Sequence, residues 1–403
     1  MSAAGRILFV TEKFPHPVDD GGQIRTWNVL ARLARELPVT LLSLDPPTQA
    51  DLEAVRALSI EVVCLGPRRA RWQSPWYAAG ALFTRAPYPM GKNFSWRMLA
   101  EIRRRMALGG VAAIHFNHLD AAQYVEHLGA DRQRVRTVFD THNLLTRLYE
   151  RFALEGPNPA RRAYATIQWW RMSRFEPEIL RKVDRALVCS DTERELAHTW
   201  GVNGVMVVPN GVDLAQFAQP RRAPRFAGAP PTIMFTGALA YPPNAEAVRW
   251  LLDGIAPEVA KIMPGCRIVI VGKGATRALL SRARPGTVEF TGWVEDVRPW
   301  LAQADVCVVP IRIGGGTRIK ILEAMAAGVP LVSTSVGAEG IAARNGESIL
   351  LADDTAGFAR AVAELLRDPG RASSISDRAG RLVRERYSWD GVLDPLVDLY
   401  RTG

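Results

Sequence analysis

The strongest constraint on this chain is a pattern that occurs twice. Short apolar, β-branched runs alternate with stretches of helical period along almost the whole length, and the series breaks once. In the first half the runs are Arg6–Thr11, Val39–Leu44, Val111–Phe116, Arg136–Asp140 and Arg185–Ser190. In the second they are Thr232–Thr236, Arg267–Val271, Val288–Thr291, Val306–Pro310 and Leu331–Ser333. A strand that is apolar on both faces must be covered on both, and crossover helices do this for parallel sheets. Amphipathic stretches such as Trp27–Leu37, Ala245–Leu252 and Ile319–Ala327 supply the helices. The predicted fold class is α/β, built as two doubly wound domains, which suits 403 residues at roughly 100–200 residues per domain. The break falls at 218–231, where Pro, Gly and Arg cluster and no period survives. The expected organisation is a first domain over 1–217, a linker over 218–231, a second domain over 232–386, and a short aromatic helix over 387–403 that can pack back on the first domain.

Composition narrows the class. With 48% apolar and 23% charged residues, the chain is neither disordered nor a disulfide miniprotein. Four cysteines, at 64, 189, 266 and 307, lie in or beside apolar runs with no CxxC and no histidine at zinc spacing. They read as small hydrophobes on buried strands of a reduced, cytoplasmic protein. The start carries too short an apolar run for a signal peptide. The cluster Trp76–Phe83 falls far short of the ~20 residues that span a bilayer. The formal charge of +10 suits a phosphorylated substrate, an anionic membrane or nucleic acid without choosing among them. Two basic, aromatic stretches, Arg68–Arg105 and Arg161–Lys182, read most simply as solvated faces with tryptophan packed inward. The sharper alternative is peripheral contact with an anionic membrane. Nucleic acid is not expected as a partner, because no recognition motif accompanies the charge.

In doubly wound sheets ligands bind at the carboxyl ends of the strands, so strand-exit loops are the places to search for chemistry. Asp19-Asp20-Gly21-Gly22 leads into a helix, and two glycines there let backbone N–H groups approach an anion. No Gly-Lys-Ser/Thr follows, so it is not a Walker loop. Phe139-Asp140-Thr141-His142-Asn143 ends a strand with a histidine able to give or take a proton near neutral pH. His115 and His118 read as strand-end packing. The strongest local signal is Gly314-Gly315-Gly316-Thr317-Arg318-Ile319-Lys320-Ile321-Leu322-Glu323. Glycine N–H groups and a helix start suit a diphosphate, and Arg318 and Lys320 supply counter-charge. Glu323 can accept two hydrogen bonds from a ribose diol. Gly272-Lys273-Gly274 reads as a tight turn after a strand, since GxG alone is a weak nucleotide signal.

Together these elements resemble the retaining family-4 glycosyltransferases of GT-B architecture, in which two Rossmann-like domains face each other across a cleft. The Gly21-Gly22 loop comes first, then Asp140–Asn143, then Val207-Val208-Pro209-Asn210-Gly211-Val212-Asp213. Phe235-Thr236-Gly237, Val269–Gly274, Phe290-Thr291-Gly292-Trp293 and Leu322–Pro330 follow in the family's order, so the resemblance covers nearly the whole length. The variants Gly-Gly-Gly-Thr-Arg and Tyr-Pro-Pro-Asn resemble bacterial transferases of exopolysaccharide and cell-envelope synthesis. The resemblance implies transfer of a sugar from a UDP-, GDP- or ADP-sugar donor to a glycan, lipid-linked or other hydroxyl acceptor, with configuration kept. It implies Glu323 on the donor ribose, Gly315, Gly316 and Thr317 against the diphosphate and sugar, and Gly21 and Gly22 approaching from across the cleft. His142 would lie beside the donor sugar, and the turn Gly292-Trp293-Val294 would edge the base.

Two positions depart from the family pattern. Gly315 stands where a first glutamate is usual, and Ala238-Leu239-Ala240 stands where a basic pair follows the strand opening the second domain. A diphosphate leaving group develops negative charge and needs a partner. That task is assigned to Arg318 and Lys320, with Asn244 as a hydrogen-bond donor. No metal and no other cofactor is expected. The same departures make a second reading conceivable, a sugar-nucleotide-binding protein or partner subunit without turnover. An epimerase remains a third reading, and a phosphorylase would need a lysine-bound pyridoxal phosphate site that the sequence does not suggest.

Overall fold

A computed structural model describes residues 5–66, 87–156, 158–217 and 230–401. The cluster Trp76–Phe83, the basic stretch up to residue 86 and most of the expected linker lie outside the described residues. The chain divides into two compact units, 1–209 together with 393–403, and 210–392. The division falls at Pro209, ahead of the boundary expected at 217, and the last helix, Trp389–Arg401, contributes its residues from Leu393 onward to the first unit.

The first unit holds a seven-stranded, wholly parallel sheet in the order β3-β2-β1-β4-β5-β6-β7. The strands are β1 Arg6–Thr11, β2 Val39–Ser43, β3 Glu61–Cys64, β4 Val111–Asn117, β5 Arg136–Asp140, β6 Arg185–Val188 and β7 Val205–Val207. The second unit holds six strands, β8 Thr232–Thr236, β9 Arg267–Val271, β10 Val288–Gly292, β11 Val306–Val309, β12 Leu331–Ser333 and β13 Leu350–Leu351. Their order is β10-β9-β8-β11-β12-β13, again all parallel. In both sheets the order reverses beside the first strand, at β1/β4 and β8/β11, which is where a doubly wound sheet opens a crevice beyond its strand ends.

The cores follow from the runs. In β1, Ile7 through Val10 are buried on both faces, as are all residues of β2 and β11. The strands that the pattern did not single out are short or weakly buried, as in β7 and β13. Cys189 and Cys307 are buried as expected, but Cys64 is exposed and Cys266 only half-buried; all four are free. Cys64 closes β3, an edge strand, so one of its sides has no neighbouring strand to cover it.

The helix after β1 begins earlier than its apolar period suggests. It spans Gly21–Ala34, with Asp20 at its N-cap accepting from the Gln23 N–H at 2.9 Å. Gly21 and Gly22 are therefore the first turn of the helix and not a loop ahead of it. A carboxylate cap of this kind satisfies an orphan amide and favours the positive helix end. In the first unit the closing helix is fixed by Tyr400, whose hydroxyl meets Nδ1 of buried His115 at 2.7 Å, and by Asp394, which pairs with Arg32 at 2.9 Å. His115 stacks on Phe9 at 4.5 Å and burial pushes its imidazole down to about 4, so it is a neutral packing residue.

Candidate functional site

In the first unit the strand exits of β1, β4 and β5 carry one connected polar network. Arg25, on the inner face of the helix Gly21–Ala34, is buried and meets the buried Asp140 carboxylate at 2.8–3.0 Å through Nε and Nη2. Its Nη1 donates to the Val208 carbonyl at 2.9 Å and the Pro209 carbonyl at 3.2 Å. Asp140 holds the guanidinium's affinity for its proton above the usual value despite burial. A buried pair with its remaining donors satisfied in this way is costly to break from one side. It locks the helix, the β5 exit and the end of the unit together.

His142 follows two residues later in a left-handed backbone, φ +56°, and is buried. Its Nε2 lies 2.8 Å from Oδ1 of Asn117 at the end of β4. The Asn117 amide is oriented by its Nδ2, which donates to Thr11 Oγ1 at 3.2 Å and Thr26 Oγ1 at 3.1 Å. Thr26 Oγ1 in turn donates to the Gly22 carbonyl at 2.8 Å. Since Oδ1 is the acceptor, Nε2 carries the proton, and Nδ1 is a buried atom with no hydrogen-bond partner among the described residues. The imidazole packs against His118 at a centroid separation of 3.6 Å. Burial, then the neighbouring His118 and Arg25, hold it well below the usual histidine range. His142 is thus neutral at pH 7. The expectation that it exchanges protons near neutral pH is corrected: burial beside His118 and Arg25 keeps it neutral.

The chain around His142 is held by two buried carboxylates that sequence reasoning did not single out. Glu193 accepts from the N–H groups of Leu144 at 3.2 Å and Cys189 at 2.9 Å, and Glu176 from those of Leu145 and Thr146, both at 2.8 Å. Burial raises the Glu176 carboxyl to about 7. His118 was also missed as more than packing. It has φ +70°, stacks on His142, and lies where a Cβ on Gly22 would come within 3.5 Å of its Nε2.

The second unit builds its strand exits differently. The backbones leaving β8 and β9 approach so closely that neither Gly237 (φ +148°) nor Gly272 (φ +149°) has room for a side chain. A Cβ on Gly272 would collide with the Gly237 carbonyl, and one on Gly237 would sit 2.5 Å from Lys320 Nζ. This places the cation. Lys320 reaches from the first turn of the helix Ile319–Ala326 to the exit of β8, the position of the missing basic pair. Its ammonium donates to Asn244 Oδ1 at 2.8 Å and lies 4.2 Å above the Phe235 ring. Asn244 Nδ2 is turned to the Ala238 carbonyl at 2.9 Å. Its amide thus orients Lys320 instead of donating outward.

Burial, and repulsion from Arg318 against the opposing pull of Glu323, push the Lys320 ammonium down to about 7. Burial raises the Glu323 carboxyl to about 7, with Lys320 pulling the other way. No described residue hydrogen-bonds the Glu323 carboxylate, one turn further along the same helix. The lysine is therefore recessed with a single side-chain hydrogen bond, and the glutamate beside it has none from the described residues.

Arg318 behaves otherwise. It is buried, and its Nη1 donates to the Gly315 carbonyl at 2.7 Å and to the Gly316 carbonyl, its Nη2 to Val336 at 3.3 Å. The guanidinium is spent on the carbonyls of its own loop, so the expected diphosphate contact by Arg318 gives way to a positioning role. From the other side Asn210 Nδ2 holds Thr317, at 3.1 Å to its carbonyl and 2.8 Å to Oγ1. That is the function of the asparagine in Val208-Pro209-Asn210-Gly211, a motif visible in the sequence without a task. Trp293 is 59% exposed, beside the half-buried Val294, on a turn tied to the β9 exit by Gly272 N–H to the Gly292 carbonyl at 3.0 Å. Among the described residues no three His, Cys, Asp or Glu side chains are grouped to hold a metal ion.

Comparison with known proteins agrees with these two halves. A family described as Glycosyltransferase Family 4 matches residues 20–216, and one described as Glycosyl transferases group 1 matches residues 230–368. The phosphatidyl-myo-inositol mannosyltransferases of Mycolicibacterium smegmatis and Mycobacterium leprae are each 30% identical over 62% of this chain. The match spans about two thirds of their own length, 66% and 68%. Among solved structures, HepE of Anabaena, in complex with UDP and glucose, has a TM-score of 0.72 at 12% identity, covering 99% of this chain and all of that one. At that identity the likeness concerns the fold. With its two parallel α/β domains and family matches on both, the chain belongs to the family-4 glycosyltransferases and has the GT-B fold.

Proposed function

We propose that this protein transfers a sugar from a nucleoside-diphosphate sugar to a hydroxyl of a glycan or lipid-linked acceptor, with anomeric configuration retained and without a metal ion. The observation that carries the reading is the Lys320–Glu323 pair, a recessed cation and carboxylate one helical turn apart, the carboxylate without a hydrogen bond from the described residues. Lys320 binds the diphosphate and stabilises the charge that grows on it as the bond to the sugar breaks. Glu323 accepts the two ribose hydroxyl protons. Gly315, Gly316 and Thr317 line the diphosphate, shaped by Arg318 and Asn210. Gly272, Trp293 and Val294 border the base. Asn244 holds Lys320.

His142, with Gly21 and Gly22, is assigned to the donor sugar, which its neutral imidazole helps to position. Being neutral and weakly basic, His142 is a poor acceptor for the proton of the attacking hydroxyl. That proton goes to the departing diphosphate oxygen, while the new bond forms at the anomeric carbon. The relatives support the donor and acceptor classes, since one is named for mannosyl transfer to a phosphatidylinositol and another was solved with UDP and glucose.

The test is a panel of UDP-, GDP- and ADP-sugars scored by thermal shift and then by product formation. A matching donor at a hundred times its dissociation constant stabilises by about 2.7 kcal/mol. Transfer that survives chelation, with an anomeric signal of the donor's configuration in the product, is the expected result. Stabilisation without transfer to any acceptor or to water would favour the non-catalytic binding protein.

A further inference from the structure

The helix Pro159–Lys182 presents an outward face that no other described residue of the first unit covers. Its inner face is conventional, with Ala165, Gln168, Met172, Phe175 and Ile179 buried. The outer face repeats at helical spacing as Tyr164, Ile167 and Trp170, which are 46%, 53% and 58% exposed. Leu154, on the adjoining helix Leu145–Glu155, is 66% exposed. Arg161, Arg162 and Arg174 are exposed on the same helix, and the Arg174 guanidinium lies 4.1 Å over the Trp170 ring. The helix carries six basic residues and two acidic ones, and Glu176 is turned inward onto the Leu145 and Thr146 amides. On this helix only the exposed Glu178 opposes the positive charge, and on the adjoining helix Glu150 and Glu155 are balanced by Arg147 and Arg151. The expectation that the tryptophans pack inward fails for exposed Trp170, while Trp169 is half-buried.

We infer that this face docks on the surface of an anionic lipid bilayer. Large apolar side chains left in water cost free energy that only a matching surface returns. Tyrosine and tryptophan settle at headgroup depth, and arginine stems lie along apolar surface while the guanidinium meets phosphate. Charge chooses between occupants. A second copy docked by two-fold symmetry would set this arginine row against itself. A nucleic acid would satisfy the arginines but offer nothing to Ile167 and Leu154. An anionic bilayer satisfies both. No helix among the described residues is long and apolar enough to cross a membrane, so the contact is peripheral.

The test is flotation of the full-length protein with vesicles of phosphatidylcholine alone or mixed with phosphatidylglycerol. The protein floats with the mixed vesicles and stays behind with the neutral ones. Each arginine near an anionic surface is worth about a fivefold change in partitioning, so Arg161→Glu/Arg162→Glu/Arg174→Glu lowers it by about a hundredfold or more. Ile167→Ser/Trp170→Ser, which leaves the charge intact, lowers it as well, and Trp170 fluorescence no longer shifts to the blue on vesicle addition. Arg360→Glu/Arg378→Glu/Arg381→Glu, an equal charge change on exposed residues of the second unit, leaves flotation unchanged. No flotation of the wild type, an equal loss in the control triple variant, or retention by nucleic acid in place of vesicles overturns the inference. So does a dimer that dissociates on Ile167→Ser/Trp170→Ser without any vesicle binding. Donor-induced thermal stabilisation is retained in every variant, so this inference and the transferase reading can fail separately.

Discussion

The two units share a strand order and differ in how their strand exits are finished. In the first, every step from Gly22 through Thr26 and Asn117 to His142 is a protein hydrogen bond, and the imidazole at its end is neutral. In the second, Lys320 and Glu323 are held in place by packing but are poorly compensated, and each is pushed toward its neutral form. On the proposed function, the difference gives each exit its task. A network fixed by its own hydrogen bonds, with only His142 Nδ1 left over, is rigid and its imidazole uncharged, which suits sugar hydroxyls. A frustrated pair stores unfavourable electrostatics that a charged, hydroxylated ligand relieves.

The contrast breaks most sharply at Lys320. Lys320→Met is expected to lower kcat by about 10²–10³, the usual cost of removing one group that stabilises transition-state charge. The same substitution raises the melting temperature of the donor-free protein, at roughly 2–4 °C per kcal/mol for a domain of this size. Loss of both activity and stability would mean that the lysine is structural.

The pH dependence sharpens the point. Below pH 7 folded and unfolded states both hold the Lys320 proton, and the folded state bears the full cost of burying it. Between about 7 and the unfolded value of 10.5 the folded state sheds the proton and the penalty fades. The stability gain of Lys320→Met is therefore greatest below pH 7 and shrinks above it. Glu323→Gln mirrors this: its gain is absent below the unfolded value of 4.5 and full above about 7. Melting scans across pH 4–9 (a range of about five units) check both signs.

His142→Ala comes next. It removes a neutral, hydrogen-bonded side chain and not a charge, so a smaller loss is expected, about 10–10² in kcat/KM, with the pH profile unchanged because the imidazole does not titrate near neutrality. Arg318→Ala orphans the Gly315 and Gly316 carbonyls; it lowers stability by about 1–3 kcal/mol and raises KM for the donor more than it lowers kcat. The smallest effect belongs to Tyr400→Phe, which leaves activity intact and costs about 1 kcal/mol of stability for the hydrogen bond to His115.

How much of this was legible beforehand depends on the scale of the cause. Runs such as Arg6–Thr11 and Arg267–Val271 announce buried parallel strands because every residue faces apolar surroundings, and the glycine loop with Lys320 and Glu323 is contiguous. What stayed hidden was tertiary. Nothing in the local sequence tells whether Arg318 or Lys320 turns outward; the close approach at Gly237 and the carbonyls of Gly315 and Gly316 decide it. His118 looked like strand-end packing because its partner is 24 residues away, and Glu176 is 30 residues from the amide of Thr146 that it caps. Asn117 and Asp140 did leave a trace, each a polar residue closing an apolar run, in register with one another.

The central claim, that the second unit's frustrated Lys320 is the diphosphate's cation, meets its most direct test in calorimetry. UDP and GDP are titrated at pH 8 in buffers of differing ionisation enthalpy. Lys320, with its pKa near 7, enters largely neutral and must charge when phosphate arrives, so binding takes up close to one proton in the wild type and none in Lys320→Met. Tight binding with no uptake, or with equal uptake in both proteins, would contradict it.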